Sequence, residues 1–89
     1  MRAIVTVIGK DRVGIIAEVC ALLSARNVNI LDISQTILQE FFTMTMLVDV
    51  SKSAISFADL KTALAEKGGE MGLKIRIQSE EIFEAMHRI

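Results

Sequence analysis

The stretch "VTVIGKDRVGIIAEVCALL", residues 5–23, decides the fold. It passes from an apolar, β-branched run into an apolar helix through a charged turn, Gly9, Lys10, Asp11, Arg12, Val13 and Gly14, with a glycine at each end. Residues 3–8 are apolar at every position but Thr6, which predicts a central strand buried on both faces. From Val13 to Arg26 the residues Ile15, Ile16, Val19, Cys20, Leu22 and Leu23 fall on one helical face. Ala17, Glu18, Ala21, Ser24 and Ala25 fall on the other, an outer face of small side chains that allows close helix approach.

Outward from this unit the period alternates between two and 3.6. Residues 29–38 place Leu31, Ile33 and Ile37 opposite Asp32, Ser34 and Thr36, the pattern of a half-buried strand. Gln39-Glu40 makes a short hairpin into a third strand with Phe42, Met44, Met46, Val48 and Val50 on one face. Ser56 caps a second helix with Asp59 three residues on, Phe57, Leu60 and Leu64 form its buried stripe, and Gly68-Gly69 is expected to end it. Leu73, Ile75 and Ile77 alternate in a fourth strand, and Ser79 opens a short terminal helix carrying Ile82, Phe83, Met86 and Ile89. Right-handed crossovers then give an α+β, ferredoxin-like βαββαβ sandwich: a four-stranded antiparallel sheet with two helices on one face. One domain over residues 1–89 is expected, with a core of 1–78 and a C-terminal helix of 79–89.

Composition narrows the functional classes. A chain of 89 residues builds only a modest core, so association with a second copy would add burial. Ten basic against eleven acidic residues give a net charge of −1, which offers no field for a nucleic-acid backbone. Cys20 is the single cysteine, so no internal disulfide or paired-cysteine metal site is available, and His87 has no partner at ligand spacing. No leader pattern and no run of membrane-spanning length is visible, and a cytoplasmic protein is expected.

The turn itself is the main candidate site. Gly9 and Gly14 have the spacing of a phosphate loop, but Ile15 and Ile16 stand where that motif needs Lys and Ser or Thr. What remains is a helix N-terminus whose backbone N–H groups suit one carboxylate. Two plainer readings stand beside it and are favoured on spacing alone: Asp11 caps the helix while the glycines relieve strain, and Asn29 is a helix-exit residue like Asn27. Phe41-Phe42 reads as core and hairpin packing, and Cys20 as a core residue.

Taken together, "GKDRVGIIAEVCALLSARNVNILDIS" and the elements after it resemble the ACT domain, the small-molecule regulatory module of amino-acid metabolic enzymes, over roughly residues 1–78. The most specific pieces are Asp-Arg-x-Gly-Ile at 11–15 and Val28-Asn29-Ile30. "DISQT" at 32–36, "FTM" at 42–44 and "IFEAM" at 82–86 make it most similar to the short, free-standing ACT proteins of bacteria and archaea, and it is also similar to the regulatory half of the glycine cleavage repressor. The resemblance implies a non-catalytic homodimer without metal or cofactor, binding a small-molecule effector, an amino acid or related metabolite, and acting on a protein partner. It implies a site between the turn of one copy (Gly9, Asp11, Arg12, Val13, Gly14, Ile15) and the start of the second strand of the other (Asn29, Ile30). Asp11 and Asn29 would hold the amino group, and the backbone near Gly14 and Ile15 the carboxylate. Val13 replaces the family's usual proline, and Asp11 replaces the Asn of the amino-acid-binding members. Two other classes stay open: a small acylphosphatase-like hydrolase using Arg12 and Asn29, and a purely structural dimerisation module.

Overall fold

β-Branched and unbranched apolar residues at period two build the strands, and the helices supply the cover. In the computed structural model, which describes residues 1–87, the elements run in the expected order. They are β1 (Arg2–Lys10), α1 (Ile15–Ala25), β2 (Asn29–Leu38), β3 (Phe41–Asp49), α2 (Phe57–Met71), β4 (Leu73–Ser79) and α3 (Glu80–His87). The strands pair antiparallel in the order β2-β3-β1-β4, which is the ferredoxin-like arrangement. The expectation for Ile89 and for the side chain of Met86 lies outside the described residues.

One face of the sheet is the core. Val5 sits between Met46 of β3 and Ile77 of β4, and Val7 between Met44 and Ile75, all buried. Above them lie Ile15, Val19 and Leu23 of α1 and Leu60, Leu64 and Met71 of α2. Each large apolar side chain taken out of water there stabilises by roughly 1.5–3 kcal/mol. No helix covers the other face with comparable completeness: Ile8 is exposed and Ile4 half-buried. β1 is therefore central, as its composition suggests, but buried on one face only, because both long helices lie on the same side.

The expected half-buried β2 is likewise corrected. It is an edge strand in which only Ile30 is even half-buried, since it lies at the margin of the cover that the two helices provide. A register shift between Ile30 and Asp32 sets Leu31 out of pair, after which Ile33, Gln35 and Ile37 share the helix-side face with Met46, Met44 and Phe42.

α2 begins as read, with the Asp59 N–H donating to Ser56 Oγ at 3.1 Å. It does not stop at Gly68-Gly69 but runs on to Met71, and Gly72, at φ 71°, closes it. Gly68 is instead a contact residue: a β-carbon there would lie 2.7 Å from the Leu73 carbonyl oxygen, so its absence lets α2 press onto β4. α3 starts at Ser79, whose Oγ accepts from the Ile82 N–H at 3.3 Å. Its apolar stripe is only partly docked, with Phe83 half-buried and Ile82 exposed.

Candidate functional site

The turn between β1 and α1 is assembled from backbone requirements. Gly9 belongs to the sheet and is packed against Leu73 of β4. The Asp11 N–H then donates to the Glu40 carbonyl at 2.7 Å, which ties the turn to the β2–β3 hairpin. Gly14 adopts φ 92° as the helix N-cap, a conformation that side chains disfavour. Its carbonyl accepts from the Glu18 N–H at 2.9 Å.

Asp11 does not cap the helix. Among the described residues no side chain does, so the first-turn amides of Ile15, Ile16 and Ala17 have no side-chain acceptor, and the acid of the first turn, Glu18, is engaged by Arg12 and Lys67. Asp11 is exposed, and Val13, at 95% exposure, projects into solvent. Arg12 Nη2 lies 3.6 Å from Glu18 Oε2, and Glu18 Oε1 lies 3.4 Å from Lys67 Nζ, so Glu18 links the turn to α2.

Beside the turn is an open cavity of about 460 Å³ lined by Asp11, Arg12, Gly14, Ile15, Ile16, Ala17, Gln35, Ile37 and Phe42. Asp11, Arg12, Gly14 and Ile15 are thus brought together, whereas Gly9 is held in the sheet and Val13 points away. Ile16, Ala17, Gln35, Ile37 and Phe42 were not among the expected site residues. The available signal was Gln35, an amide interrupting the apolar alternation of Ile33 and Ile37 on one face of β2.

Asn29 and Ile30 lie elsewhere in the same chain. α1 runs back down the sheet for 11 residues, about 16 Å at 1.5 Å per residue, before β2 begins. The helix-exit role belongs to Asn27 alone, at φ 61° with its Nδ2 donating to the Lys52 carbonyl at 2.9 Å; Asn29 is the first residue of β2. Asn29 lines a second cavity, of about 400 Å³, with Ser24, Asn27, Val28, Asp49, Ser51 and Lys52. Its side chain makes no hydrogen bond among the described residues. The neighbouring Asp49 carboxylate accepts from the Ser51 N–H at 2.9 Å, which holds its pKa below the ordinary value. Ile30 pairs with Val48 and turns its side chain toward the core, leaving its backbone at the sheet edge.

The remaining candidates separate in the same way. Phe42 is buried, as core packing requires, but Phe41 is exposed. Cys20 is free and half-buried, and burial pushes its thiol pKa up, away from reactivity. No group of three His, Cys, Asp or Glu side chains suited to a metal occurs among the described residues. Among those residues no helix is long and apolar enough to cross a membrane.

The family model of the ACT domain matches residues 2–78. The chain is 58% identical over 89 residues, all of both chains, to a UPF0237 protein of Clostridium acetobutylicum. Its structure is similar to that of an ACT domain protein from Streptococcus pneumoniae, with a TM-score of 0.82 and 45% identity over 98% of each chain. It is also similar to a structure described as a candidate glycine cleavage system transcriptional repressor, with a TM-score of 0.73 and 26% identity, over 86% of this chain and 44% of that one.

Proposed function

The chain belongs to the ACT domain family, whose members are regulatory ligand-binding modules, and we propose that it is a non-catalytic sensor of an amino acid or closely related metabolite. In this reading it works as a cytoplasmic homodimer, its core of 1–78 and α3 acting as one unit, and passes ligand occupancy to a protein partner.

The observation that carries this reading is the character of the β2 edge. All ten residues, Asn29–Leu38, lie on an edge with no strand beyond it among the described residues, and Leu31, Ile33, Ile37 and Leu38 are exposed. Exposed edges are ordinarily blunted by charge. The opposite edge, β4, carries Lys74 and Arg76, but β2 has only Asp32, whose carboxylate accepts from the Ile33 N–H at 2.9 Å. An unguarded apolar edge fits a second copy of itself across a two-fold axis.

Antiparallel pairing of two β2 strands would solve the separation found in the single chain. The start of one strand would lie beside the end of the other. The turn is tied to that end through Asp11 and Glu40, so the Asn29 of one copy would approach the turn of its partner. An ammonium would meet Asp11 and the Asn29 amide oxygen, and a carboxylate would meet the first-turn amides of α1 near Gly14 and Ile15. The hydrolase alternative has less to stand on: it needs a cradle of backbone amides around a free Arg12, and the turn is short with Arg12 lying against Glu18.

A thermal-shift screen of the twenty amino acids tests the proposal. At least one should raise the melting temperature, since a ligand at a hundred times its Kd stabilises by about 2.7 kcal/mol. Asn29→Ala should lose that shift. Failure of every amino acid to stabilise the protein would overturn the reading and leave a structural dimerisation module.

A further inference from the structure

We infer that the amino acid held by this site has an apolar side chain, and that this side chain lies over Ile37 and Phe42. The inference rests on the reading above for the head group and adds the ligand's chemical class.

The cavity beside the turn has two chemically distinct parts. At the turn, the exposed Asp11 carboxylate and the uncapped amides at the N-terminus of α1 present a negative and a positive pole, which complement a zwitterion and set the end at which its head group sits. The rest of the lining is largely apolar, with Ile16 and Ile37 exposed and Phe42 only 3% exposed. Gln35 is the one uncharged polar side chain there. This open cavity of about 460 Å³ has room for an amino acid.

Over Ile37 and Phe42, a ligand hydroxyl, amide or carboxylate would lose its water partners and find at most the Gln35 amide in exchange. An aliphatic or aromatic side chain loses nothing there and also removes the exposed flank of Ile37 from water. A polar side chain is therefore penalised twice: it is desolvated, and it leaves the apolar wall imperfectly covered.

Calorimetry on the full chain with isosteric pairs separates polarity from size: valine against threonine, leucine against asparagine, methionine against glutamine. The apolar member of each binding pair should bind about tenfold or more tighter, the discrimination that an apolar pocket exerts. Equal affinities, or a tighter polar member, would overturn the inference while leaving amino-acid sensing intact. Binding by no member of any pair would count against both. Ile37→Thr, an exposed β-branched exchange in a strand, should bring the valine-to-threonine ratio close to one. An unchanged ratio in that variant, with circular dichroism showing the parent fold, would place the side chain elsewhere and overturn the inference.

Discussion

Gly9 packs so closely against Leu73 across the β1–β4 pair that a β-carbon on it would collide with the Leu73 Cδ2 methyl and lie 3.3 Å from the Leu73 Cα. Gly14, at the other end of the turn, has the opposite problem. A β-carbon there would meet only Glu18 Oε2, at 3.7 Å, but φ of 92° is strained for any side chain. Gly9→Ala should therefore cost about 1–3 kcal/mol through overpacking, and Gly14→Ala about 1–2 kcal/mol through backbone strain. Urea unfolding of both variants checks this. The glycines are explained by the fold itself, so Gly14→Val would perturb the fold as well as any ligand site.

The terminal helix should contribute modestly. Arg2 Nη2 and Glu80 Oε2 are 2.7 Å apart and join β1 to α3, but both side chains are partly exposed, so the pair is worth less than about 1 kcal/mol. Half-burial of Phe83 adds roughly another 1 kcal/mol. Ending the chain after Gln78 should lower the unfolding free energy by about 1–2 kcal/mol in urea titrations. Unchanged stability would show that α3 is not docked.

Strand and helix order was legible because β3 and β4 alternate, β1 is a short β-branched apolar run, and the α1 stripe holds its helical period. Local periodicity cannot say which side of a sheet is covered, so β1 looked buried on both faces and β2 half-buried. The end of α2 was misread for a related reason: Gly68-Gly69 resembles a stop, yet Gly68 serves the distant contact with Leu73. The turn was found because a glycine at each end of a charged loop is locally conspicuous. Gln35 and Ile37 were missed because they come beside the turn only through the pairing of β2 with β3.

The unguarded edge makes a sharp prediction about assembly. Ile33 is exposed, faces the helix side of β2, and lies near the middle of the strand, where a two-fold axis would pass. Ile33→Lys should leave the monomer fold unchanged by circular dichroism, because nothing in the single chain depends on that side chain being buried. It would set two like charges close together across the axis, and like charges opposite one another destabilise strand pairing. The parent should sediment as a dimer at tens of micromolar, and the variant as a monomer that has lost the amino-acid thermal shift. A variant that remains dimeric would move the interface away from β2.

Asp11 provides the most direct test of how a ligand is oriented. It is exposed, its side chain makes no ion pair among the described residues, and it lines the same cavity as Arg12 and the first turn of α1. In the proposed pose its carboxylate meets the ligand's ammonium, while the carboxylate of the ligand sits at the helix amides. Asp11→Asn keeps the size and the acceptor oxygen but removes the charge. Losing a hydrogen bond to a charged group costs roughly 1.5–3 kcal/mol, so affinity for the amino acid should fall about ten- to a hundredfold. The deamino analogue of the same ligand, the carboxylic acid with hydrogen in place of the ammonium, has no ammonium to lose and retains only the carboxylate that Asp11 repels. Its binding should therefore strengthen in Asp11→Asn. Calorimetry with the two ligands on the parent and the variant reads both signs at once. Parallel changes for both would mean that Asp11 acts through the shape of the turn and not through its charge.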